Sequence, residues 1–66
     1  MPNSEGKYSV ELYRDGGEDS GIEAIIVRED HLQVARLLYA VAISEHPSRL
    51  VMLCDGTSVL ARSDRP

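Results

Sequence analysis

Apolar and polar positions alternate from Lys7 to Tyr13. Tyr8, Val10 and Leu12 fall on one side, and Ser9, Glu11 and Tyr13 on the other. A period of two marks a half-buried strand. The stretch DGGEDSG, residues 15–21, interrupts it with three glycines and three acids, a composition that predicts a flexible turn. Residues 22–28, IEAIIVR, are rich in branched side chains and predict a second strand. Its alternation is imperfect, because Ile22, Ala24 and Ile26 share one face while Ile25 and Val27 share the other. Either both faces are apolar or a bulge shifts the register.

The pattern then changes period. Over residues 30–46, DHLQVARLLYAVAISEH, good helix formers recur with helical spacing. Asp30 is placed to cap the first turn, with Gln33 three residues on as a capping-box partner. Pro47 ends the helix near Glu45, because proline lacks the amide hydrogen and forces its predecessor out of helical geometry. At 100° per residue the apolar side chains cover an arc of about 240°, against the ~100° stripe that lies on a single sheet. The helix therefore carries more apolar surface than a small sheet covers.

After Pro47 comes a short apolar run, residues 50–54, and Asp55-Gly56 is a strong hairpin signal. Residues 57–62 return. If Asp55 and Gly56 are the two turn residues, Cys54 lies opposite Thr57, Leu53 opposite Ser58 and Met52 opposite Val59. One face then holds Leu50, Met52, Cys54, Val59 and Ala61, and the other Val51, Leu53 and Leu60. Both faces are apolar, so one must find cover outside the helix. The polar ends, residues 1–6 and 63–66, read as disordered tails. The fold expected is α+β: ββαββ, a single domain with one largely antiparallel four-stranded sheet and the helix on one face.

Sixty-six residues allow one small core with little margin of stability. The lone cysteine, Cys54, excludes an intrachain disulfide, and no group of residues has zinc-ligand spacing. A partner chain is the remaining usual remedy, so a homodimer is expected. Two surfaces compete for that contact: the sheet face of Val51, Leu53 and Leu60, which is preferred as a contiguous patch, and the helix side of Leu32, Tyr39 and Ile43. No apolar run is long enough to span a membrane and no secretory leader is evident, so the expected location is cytosolic.

The net charge of −4 is unevenly spread: residues 1–30 hold eight acids against three bases. Acidic chains repel phosphate backbones, which disfavours general nucleic-acid binding. Arg49, Arg62 and Arg65 form the one candidate anion patch, with protection of an exposed strand as the competing role. Catalytic signals are weak. Cys54 has an acidic neighbour, Asp55, which opposes thiolate formation, and reads as a packing residue. His31 and His46 stand at opposite ends of the helix. Asp15, Glu18 and Asp19 lack the regular spacing of a calcium loop. No cofactor and no enzymatic activity are expected.

The hairpin–helix–hairpin order, with LVMLCDGTSVLARSD as its last hairpin, resembles a group of short single-domain bacterial ββαββ proteins. The strand–strand–helix–strand layout also resembles the HicB-like antitoxin domain. The oversized apolar arc of the helix and the two-faced last hairpin point to a small non-enzymatic interaction module that self-associates, and the second resemblance implies a nucleic-acid-linked regulator as the alternative. Neither supplies catalytic residues.

Overall fold

The computed structural model describes residues 6–64. Arg65 and most of the expected N-terminal tail lie outside them. The elements follow in the order β1 (Tyr8–Tyr13), a 3-10 turn (Glu18–Ser20), β2 (Ile22–Glu29), α1 (Leu32–Glu45), β3 (Val51–Asp55) and β4 (Ser58–Arg62). The four strands form one antiparallel sheet in the order β2-β1-β3-β4. β2 and β3 both run antiparallel to β1, so they are parallel to each other with β1 between them, and α1 makes the crossover. This is the α+β, ββαββ architecture that the alternation and the helical period predict.

The irregular pattern of β2 has its cause in the register. β1 pairs Val10 with Val27 and then Glu11 with Ile25, and Leu12 with Ala24 and then Tyr13 with Ile22. Ile26 and Glu23 are the extra residues of two bulges.

α1 starts without the expected cap. His31 is the N-cap and makes no side-chain capping bond. Asp30 Oδ1 instead accepts the backbone N–H of Lys7 at 3.2 Å, tying the start of β1 to the end of β2. Here too Gly6, at φ +94°, passes so close to β2 that an added Cβ would lie 2.5 Å from the Glu29 nitrogen.

The last hairpin turns one residue later than expected. Asp55 pairs with Ser58, so Gly56 and Thr57 are the central residues, and Gly56 takes φ +60°. Glycine with positive φ at the first central position is the type II′ pattern. Cys54 then pairs with Val59 and Leu53 with Ala61, leaving Leu60 as the extra residue of a third bulge. Ala61 therefore moves to the face of Leu53.

Two apolar layers result. Val10, Leu12, Val51 and Leu53 lie under α1 with Ala35 and Ala42. Leu50, Met52 and Cys54, joined by Tyr13, lie on the opposite face. Burying each large side chain contributes about 1.5–3 kcal/mol. The expected C-terminal tail is partly fixed. Ser63 Oγ accepts the Val51 N–H at 2.9 Å, and the Ser63 N–H donates to the Val51 carbonyl at 2.9 Å.

Candidate interaction surface

The preferred sheet-face patch is not a surface. Val51 and Leu53 are 0% and 2% exposed beneath α1, and only Leu60 of the three is accessible, at 47%. Alternation along β3 turns both side chains toward the helix, and the late turn separates Leu60 from them. Leu32, Tyr39 and Ile43 are half-buried against the same core. The excess apolar surface of the helix lies on its other flank: Val34, Leu37 and Val41 are exposed, Leu37 at 68%.

Helix geometry orients this stripe. Ala35 and Ala42, the two buried helix residues, mark the direction into the sheet. Ile43 lines a cleft with Asp64, just past β4, so its flank faces the β4 side. A turn of 100° per residue then sends Val34 and Val41 to the opposite side, above β2. β2 is an edge strand, and Ile22, Ile25 and Ile26 on it are exposed. The helix stripe stands above this edge on the side of Ala24 and Val27, whereas Ile22 and Ile25, the register partners of Tyr13 and Glu11, turn to the open sheet face. Sequence periodicity signals the excess on α1 but not which flank it occupies.

The open sheet face is different in kind. At its centre Glu11 lies between Met52 and Ile25 in register. Its carboxylate accepts the Tyr13 hydroxyl at 3.2 Å and the Ser9 hydroxyl at 3.5 Å. Burial, then the Glu11 charge, raises the Tyr13 pKa. Burial and the adjacent Glu11 push the Cys54 thiol from its ordinary 9.0 up to about 11. A thiol held protonated is a poor nucleophile.

The arginines are engaged. Arg49 pairs with Glu23 and donates from Nε to the Tyr13 carbonyl at 2.8 Å. Arg62 bonds Asp64 at 2.7 Å and Glu18 at 2.9 Å. The two arginines expected to gather an external anion are instead neutralised by carboxylates of the chain, and they bind the β1–β2 connection to the last hairpin. Glu18 serves that purpose. Asp15, Glu18 and Asp19 form no metal cluster, and none exists among the described residues. His31 Nδ1 lies 3.5 Å from Glu29, and His46 meets the helix end through its backbone N–H, which donates to Ala42. A cleft of about 290 Å³ lies between Gly17, Ile43, Pro47 and Ser63. Among the described residues, no helix is long and apolar enough to cross a membrane.

Comparison with protein-family models, with curated proteins and with solved structures gives no significant match.

Proposed function

We propose that this chain is a small non-enzymatic interaction module that self-associates through the side formed by β2 and the adjoining flank of α1. The observation that carries this reading is the exposed helix stripe Val34, Leu37 and Val41 above the unpaired edge strand β2, whose Ala24 and Val27 face the helix side. Contiguous apolar patches on small soluble domains mark interaction sites. The open sheet face is a poorer candidate, because contact there would bury the Glu11 carboxylate, and desolvating a charge costs more than the apolar contact returns. The nucleic-acid-linked alternative has less support, since Arg49 and Arg62 are already held by carboxylates.

Sedimentation equilibrium tests the proposal. The wild-type chain is expected to dimerise at micromolar concentration. Leu37→Lys with Val41→Lys is expected to be monomeric and folded, with a Tm matching that of dilute, monomeric wild type, since exposed substitutions move stability by only about 0.5 kcal/mol. A wild-type chain that stays monomeric at high micromolar concentration would end this reading.

A further inference from the structure

We infer that the occupant of this side is a second copy whose β2 pairs antiparallel with β2 about a two-fold axis between Ile25 and Ile26, giving one continuous eight-stranded sheet. The inference rests on the self-association proposed above and adds its geometry. β2 is eight residues long and ends the sheet, so its outer backbone groups have no strand partner among the described residues. An unpaired edge of this length is a template for another strand.

Charge selects the register. Antiparallel pairing centred between Ile25 and Ile26 sets Glu23 opposite the second copy's Arg28, twice by symmetry. Ala24 meets Val27, and Ile25 meets Ile26. The β1 register turns both Ala24 and Val27 to the helix side, as partners of Leu12 and Val10. Each copy of that pair therefore lies on a matching face. A parallel in-register pairing would set Glu23 on Glu23 and Arg28 on Arg28. Arg28 is exposed and has no carboxylate partner among the described residues. Glu23, although held by Arg49, keeps about half of its side chain exposed to receive a second cation. The same two-fold axis carries the Val34–Val41 flanks of both helices toward one another above the junction.

The test compares wild type, Arg28→Glu, Glu23→Arg and an equimolar mixture of the two variants by sedimentation, with amide exchange along β2. Arg28→Glu leaves the Arg49–Glu23 pair intact. It is expected to weaken dimerisation about tenfold, because like charges then face each other twice. The mixture is expected to restore dimers, as heterodimers in which both cross-pairs are again opposite in charge. Should Glu23→Arg fail to fold, exchange decides alone: the amides of residues 22–29 are expected to slow as wild-type concentration rises through the dimer range. A wild type that dimerises with undiminished affinity on Arg28→Glu, or with β2 amides that exchange as in the monomer, overturns this register while self-association stands. A monomeric wild type overturns both.

Discussion

Cys54 has the features of a packing residue. It is buried, it has Glu11 as an acceptor, and its pKa is raised to about 11. At pH 7.4 its thiolate fraction is about a hundredfold below that of an ordinary thiol. Iodoacetamide labelling of the folded chain is therefore expected to be at least that much slower than labelling in denaturant. The same shift sets a pH dependence. The folded chain holds the proton more tightly than the unfolded one, so this contribution to stability is complete below pH 9 and is lost as pH rises through about 11. Urea midpoints measured from pH 8 to pH 11 are expected to fall. Gly6 is the other sensitive residue. Its positive φ and its approach to Glu29 both reject a side chain, so Gly6→Ala is expected to lower stability by about 1–3 kcal/mol in urea unfolding.

At the element scale, the helix span was legible because its signals are local: a period change, a run of good formers and Pro47. Its cap was not. Asp30 has the right chemistry, but Lys7 claims its carboxylate from 23 residues away, and no local pattern records that. The vacant capping role gives a direct prediction. His31→Ser is expected to raise stability by about 1 kcal/mol, read as a higher urea midpoint. Strand identities were legible for the same local reason, while registers were not. Asp55-Gly56-Thr57 frames a two-residue turn in two ways, and the one adopted is balanced by a bulge at Leu60. That single step moved Ala61 across the sheet and separated Leu60 from Val51 and Leu53. The candidate surface failed because α1 covers the face of Val51 and Leu53, while the late turn merely separated Leu60 from them; the excess breadth of the helical arc was signalled by its period.

The whole molecule is a thin structure: one helix on four strands, with each strand layer closed by a few side chains. Its ends are joined by arginine clamps. Arg49 connects the start of β3 to both β1 and β2, and Arg49→Ala is expected to cost about 2 kcal/mol, because it leaves the Tyr13 carbonyl without its charged donor. Arg49→Lys should recover only part, since an ammonium lacks the guanidinium fork; thermal unfolding of both variants gives the comparison.

The position of β1 at the centre of the sheet has a consequence for how the chain is made. β1 is synthesised before the other strands of this sheet, yet its partner β3 lies 39 to 47 residues later, from Leu12 with Val51 to Tyr8 with Asp55. Until β3 arrives, the β1–β2 hairpin has both long edges unpaired and no apolar layer closed. Closing a loop of this length precedes any reward from the contacts it enables. Closure of the sheet therefore waits for β3, and the newly made β1–β2 hairpin is the species most open to pairing with the wrong neighbour.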